Sequence, residues 1–297
     1  MNFSIFLFFI FAVAAVNARS TFKKRSPSTT SISAEETFRL YEKAKKEVDE
    51  LNKKYPGATF EINKFSFMSE TEKKKYYATF PPTLPKFSNF ATFDDENITA
   101  PDSYDYREYG KVTPVKNQQQ CGSCYAFAST AAVESQFLIH SNVEYDLSEE
   151  YLLECDTSDD ECVSGTAAHA FEVYKNIGVP QEDCDPYTAT NGTCPDIGDC
   201  TRFFIGGYKA LDSDEDKYPG LLYKYGPIAI AMNAGSSEFN HYRTGVLDIP
   251  LEDWYRRTCY TFGEEGYFRF KRGVNFCNFT LRHNPLIPYL SEATSSS

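Results

Sequence analysis

Between Ala34 and Lys54 the segment AEETFRLYEKAKKEVDELNKK sets Phe38, Tyr41, Val48 and Leu51 at helical intervals among charged residues. That spacing predicts an amphipathic helix with one apolar stripe. Pro56-Gly57 ends it, and ATFEINKFSFMSETEKKKYY predicts a short extended piece followed by a second, polar helix. Residues 81–103 hold four prolines and no period, which predicts an extended linker. Beyond it the pattern changes. GSCYAFASTAAVESQFLIHSN is small and apolar nearly all round, as a buried helix would be, and LSEEYLLEC offers Ser148 as the N-cap of a short second helix. From Phe203 onward, RFFIGGYKAL, GPIAIAMNAG and EEGYFRFKRGVNF are aromatic and β-branched runs punctuated by glycine, which predict strands of a mostly antiparallel sheet.

The first residues change the setting of this pattern. An apolar stretch from Phe3 to Val16 leads into Val16-Asn17-Ala18, which predicts a signal peptide over residues 1–18, too short to span a bilayer comfortably. In the secretory pathway nine cysteines imply disulfides, and the odd count leaves at least one thiol over. Three sequons make Asn97, Asn191 and Asn278 glycosylation candidates. With 41% hydrophobic and 16% aromatic residues, the 297-residue chain can bury a core. Its net charge of −12 argues against nucleic acid or an anionic membrane as partner.

Candidate chemistry centres on NQQQCGSCYAFAS, residues 117–129, where Cys121 and Cys124 stand three apart at the mouth of the predicted buried helix. Such a pair serves as a redox dithiol, as half of a zinc site, or as one structural cysteine beside one catalytic cysteine. No second C-x-x-C and no paired histidines complete a zinc site, and no parallel βαβ pattern supports a thioredoxin-like role. The third use fits the surroundings. A helix N-terminus favours thiolate at Cys124, and the Gln118 side chain and the Cys124 amide are candidate donors to an oxyanion.

TPVKNQQQCGSCYAFA resembles the papain-like cysteine peptidases, with Tyr125 where tryptophan usually follows the nucleophile. APDSYDYREYGKVTPV is similar to the start of their mature domain, with Tyr106 in a common tryptophan position. Tyr41, Val48 and Asn52 match part of the ERFNIN pattern of their inhibitory propeptide, with Ala44 in an asparagine position; Asn63 and Phe65 match the next propeptide motif, with Phe67 in place of aspartate. The resemblance implies an α+β, papain-like two-lobed fold, with a helical lobe at about 105–200 and a truncated antiparallel β lobe at about 201–280. A helical propeptide and linker, 19–98, would precede the peptidase domain, 99–297. It further implies Cys124 as nucleophile and Gln118 as oxyanion donor, with Gly122, Ser123, Ser164 and Gly165 lining the substrate cleft. The implied disulfides are Cys121 to Cys162 and Cys155 to Cys194, with the pairing of Cys184, Cys200, Cys259 and Cys277 open. The implied partners are protein or peptide substrates, the chain's own propeptide or a related peptidase. A monomer without cofactor or metal, lysosomal or extracellular, completes the expectation.

One part of the family pattern is missing. The histidine that takes the thiol proton and the asparagine that orients it belong roughly 130–150 residues after the nucleophile. That window, Trp254 to Val274, contains neither. Only LEDWYRRTCY bridges Pro250 to Thr261, as though two strands were deleted. His140 falls at the far end of the nucleophile's helix, His169 on a rim helix, His241 before the expected histidine strand, and His283 in the tail. In papain, histidine pairing takes the thiol from about 8.5 to about 3–4, a difference of ~7 kcal/mol, whereas a helix N-terminus supplies at most ~2 kcal/mol. The expectation is a peptidase by descent with little or no turnover. The alternatives are a non-catalytic protein that binds or inhibits related peptidases, or the product of a transcript lacking the histidine segment.

Overall fold

The computed structural model describes residues 33–78, 98–211, 214–231, 235–248, 269 and 285–291. The predicted signal peptide, most of the linker, Asn97, Asn278, Cys259, Cys277, His283 and the 254–274 window apart from Arg269 lie outside them.

Helix α1, Ala34–Lys54, starts where the Ser33 hydroxyl accepts the Glu36 amide, with Glu35 and Glu36 in its first turn and Lys53 and Lys54 in its last, as the helix dipole favours. Its buried residues are Ala44, Val48 and Leu51. The predicted stripe is therefore only half right: Phe38 is 65% exposed and Tyr41 39%. The elements that pack on α1 sit against its C-terminal half, where Asn52 ties the helix to the next strand by bonds to the Phe60 amide and carbonyl, both 2.9 Å. That strand is β1, Ala58–Phe60; a 3-10 turn, Lys64–Phe67, follows, and the predicted second helix is the single turn α2, Glu70–Lys74.

Helices α3 (Cys124–His140), α4 (Glu149–Cys155) and α5 (Ala167–Asn176) form the helical lobe, with α3 packed on both others. Its core holds Val133, Leu147, Tyr151, Leu152, Phe171 and Tyr174. Glu134 of α3 is buried too; Lys116 Nζ lies 2.9 Å from it, 3.0 Å from Glu149 and 2.6 Å from Asp146. One ammonium thus fastens α3 to the start of α4.

The strand-rich half contains β2 (Gly207–Ala210), α6 (Tyr218–Tyr225), α7 (Ser237–His241), β3 (Tyr242–Gly245) and β4 (Leu286–Tyr289). Among the described residues its sheets are two antiparallel pairs, β2 with β4 and β1 with β3. The described part of GPIAIAMNAG, a segment predicted as a strand, pairs among the described residues through one isolated bridge, Ala229 to Leu286. The second core draws on both ends of the chain. Val48, Leu51, Phe60, Phe65 and Tyr77 of the front segment pack with Leu211, Tyr218, Phe239, Tyr242 and Ile287.

Candidate active site

Helix α3 begins at Cys124, and the side chain of its N-cap residue Ser123 makes no capping bond to the helix. The Ser123 hydroxyl lies 2.6 Å from the Tyr187 hydroxyl, which donates to the Gln118 carbonyl at 2.8 Å and so accepts from Ser123. The Gln118 side-chain amide donates to the Cys121 carbonyl at 2.6 Å. Gln118, Ser123 and Cys124 are all buried, Cys124 to 5% exposure. One tyrosine therefore clamps the loop that presents the thiol. Burial raises the Tyr187 hydroxyl well above the usual tyrosine value, with the Ser123 bond opposing the shift. Tyr187→Phe would leave two buried polar groups without this partner, an expected loss of about 1–3 kcal/mol in urea unfolding.

Among the described residues three disulfides are present: Cys121–Cys162, Cys155–Cys194 and Cys184–Cys200. The described cysteine outside them is Cys124. The first disulfide and a bond from the Gly122 amide to the Cys162 carbonyl, 2.9 Å, join the Cys121–Cys124 loop to the segment carrying Ser164 and Gly165. Ser164 pairs with Asp160 in an isolated antiparallel bridge. A β-carbon at Gly165 would overlap the Tyr125 ring, so the ring seats directly on wall backbone. Front-segment backbone reaches this cleft as well. A β-carbon on Gly122 would stand 2.9 Å from the Ala78 nitrogen and 3.0 Å from its Cα.

The described histidines have other work. His140 is exposed at the far end of α3, about 24 Å along the helix from Cys124. His169 Nδ1 lies 2.7 Å from Asp159 Oδ1. His241 Nδ1 lies 3.2 Å from the Glu61 carbonyl and 3.3 Å from the Ser66 hydroxyl, and its Nε2 3.5 Å from Glu47.

The model of the papain family cysteine protease matches residues 100–259. The chain belongs to that family. A viral cathepsin of the Choristoneura fumiferana nuclear polyhedrosis virus is 31% identical over 269 residues, 81% of either chain, and cysteine proteinase 1 of Dictyostelium discoideum is 31% identical over 291 residues, 82% of this chain and 83% of that one. The structure of the digestive procathepsin L2 proteinase from Tenebrio molitor larval midgut superposes with a TM-score of 0.77 at 26% identity, covering 89% of this chain and 96% of the other. This papain-family chain thus has the α+β architecture of a proenzyme, with its front segment docked on its own peptidase domain. No described helix is long and apolar enough to cross a membrane.

In this papain-family chain the dock joins Asn63, which the sequence matched to a propeptide motif, with Glu61, Tyr77 and Asn240, to which sequence reasoning assigned no role. The Asn63 side chain donates to the Asn240 carbonyl at 2.7 Å, the Tyr77 hydroxyl to the Asn240 side chain at 2.8 Å, and the Glu61 amide to the His241 carbonyl at 2.8 Å. Burial lowers the His241 pKa, against the Glu61 carbonyl and Glu47, which raise it. Asp159 is shifted the other way, up to about 7, by burial and then by Asp156, with the His169 bond opposing. Tyr187, too, carried only a weak signal: it lies in DPYTATNGTC, whose order along the chain follows the family while saying nothing of a hydroxyl bond.

Proposed function

We propose that the chain is a papain-type cysteine peptidase precursor in which Cys124 attacks the peptide carbonyl while the Gln118 side chain and the Cys124 amide stabilise the oxyanion. Gly122, Ser123, Ser164 and Gly165 bind the substrate backbone. Residues 1–18 are its signal peptide and 19–98 its inhibitory propeptide. The observation that carries the reading is Cys124 at the N-terminus of α3, pinned beside the cleft wall with Ala78 backbone across Gly122. Three disulfides and the exposed sequon residue Asn191 fit maturation in an oxidising lumen, with lysosomal or extracellular delivery.

Turnover by this chain is low or absent, because the 254–274 window supplies neither base nor orienting asparagine. Acidified, purified protein assayed on fluorogenic peptides should stay near background, and Cys124→Ala should change little. Robust turnover that disappears in Cys124→Ala would overturn the inactivity and leave the family chemistry standing. The missing histidine also favours a second reading, a non-catalytic relative that binds or inhibits active peptidases. Failure to inhibit or bind related peptidases at micromolar concentration would remove it.

A further inference from the structure

The loop between Cys155 and Cys162 carries Asp156 and Asp159, and His169 stands in the first turn of α5. Asp156 is 6% exposed and the Asp159 side chain is fully buried. One carboxylate oxygen of each acid and one ring nitrogen of His169 lie within 4.8 Å of one another. Local bonds account for three of the four carboxylate oxygens. The Ser158 amide donates to Asp156 Oδ1 at 2.9 Å, the Thr166 amide to Asp159 Oδ2 at 2.9 Å, and His169 Nδ1 lies 2.7 Å from Asp159 Oδ1. Asp156 Oδ2 is buried and takes no hydrogen bond. Two carboxylates thus converge on one imidazole, with one buried acceptor oxygen left unpaired among them.

We propose that Asp156, Asp159 and His169 form a binding site for one divalent cation of the manganese or zinc type, which fastens the cleft-wall loop to α5. This reverses the expectation of no metal, which rested on cysteine and histidine motifs and took no account of acids brought together by folding. Two carboxylates and an imidazole suit Mn²⁺ or Zn²⁺, whereas Ca²⁺ and Mg²⁺ prefer oxygen ligands throughout. Asp156 Oδ2 is the oxygen with unused acceptor capacity, and a cation entering the group would replace the 2.7 Å bond between His169 Nδ1 and Asp159 Oδ1, taking one ligand atom from each of the three side chains. The same loop bears Asp160, whose backbone pairs with Ser164, and the Tyr125 ring sits against Gly165. A cation here would stiffen that side of the cleft whether or not Cys124 turns over.

The test is a titration of the purified full-length chain with Mn²⁺ alone, reading free ion by electron paramagnetic resonance, followed by displacement with Zn²⁺. Manganese is the probe because it binds thiolates poorly, which keeps Cys124 out of the signal. One ion should bind per chain. Asp156→Asn preserves the shape and the bond from Ser158, and it should weaken binding at least about tenfold, as should His169→Ala. Asp160→Asn, an exposed neighbour, should leave it unchanged. The wild-type titration decides the first point even if a variant folds poorly. Absence of binding below about 1 mM, full binding in Asp156→Asn, or equal weakening in all three variants would overturn the proposal. The acids would then be neutralised by a shared proton.

Discussion

Exchanging Cys121 and Cys162 together for serine is expected to lower stability by about 4 kcal/mol, the chain-entropy value for a crosslink spanning a 41-residue separation. The size follows from the unfolded chain, which regains the freedom that the bond denied it. The position makes the change local as well. The Gly122 amide bond to the Cys162 carbonyl and the Tyr125 hydroxyl bond to the Glu161 carbonyl would remain as ties between the two loops. Urea unfolding of the double variant measures the loss. A change below about 1 kcal/mol would mean that the hydrogen bonds and the buried Tyr125 contact hold the two loops without the disulfide.

Acidification is expected to loosen the front segment from the β half, with His241 as a principal cause. In the docked chain His241 is 2% exposed, and burial lowers its pKa; Lys73 of α2 adds to that, while Glu47 of α1 and the Glu61 carbonyl act against it. Undocked and hydrated, the same imidazole titrates near ~6.5. The undocked form therefore binds more protons. Docking is strongest above about pH 6.5 and weakens as pH falls, by at most tenfold per unit, until the docked pKa is passed. Hydrogen exchange at the Glu61 amide, which donates to the His241 carbonyl, reports the opening after correction for intrinsic rates. His241→Gln keeps a donor and cannot charge, so its protection should respond less steeply to acid. An identical slope in the variant would assign the effect to other groups.

Much of the helical lobe was legible because its signals are local. Ser148 caps α4 by accepting the Tyr151 amide, and the C-x-x-C pair sits at the start of α3, where a short motif placed it. Features that depend on distant partners were not legible. Phe38 and Tyr41 have helical spacing, but periodicity says nothing of how far along a helix its neighbours extend. GPIAIAMNAG has strand composition, and among the described residues it forms one bridge. Four cysteines left several pairings open, and folding chose Cys184 with Cys200. At the site, the loop residues were found together because they are contiguous. Tyr187, Ala78 and the Asp156–Asp159–His169 group come from separate elements, and only packing brings them to it.

The shared core of the front segment and the β half also sets a schedule for biosynthesis. Glu61 and its partner His241 are 180 residues apart. At roughly 5–20 residues per second, a ribosome needs about 10 to 40 s to deliver the second after the first. Throughout that interval Val48, Leu51 and Phe60 have been synthesised, while Tyr242 and Ile287 of their eventual core have not. The helical lobe, whose core residues lie mostly between 121 and 205, can close first. The front segment, first to emerge, is among the last to find its place, and during the wait its apolar residues are open to chaperones and to other nascent chains.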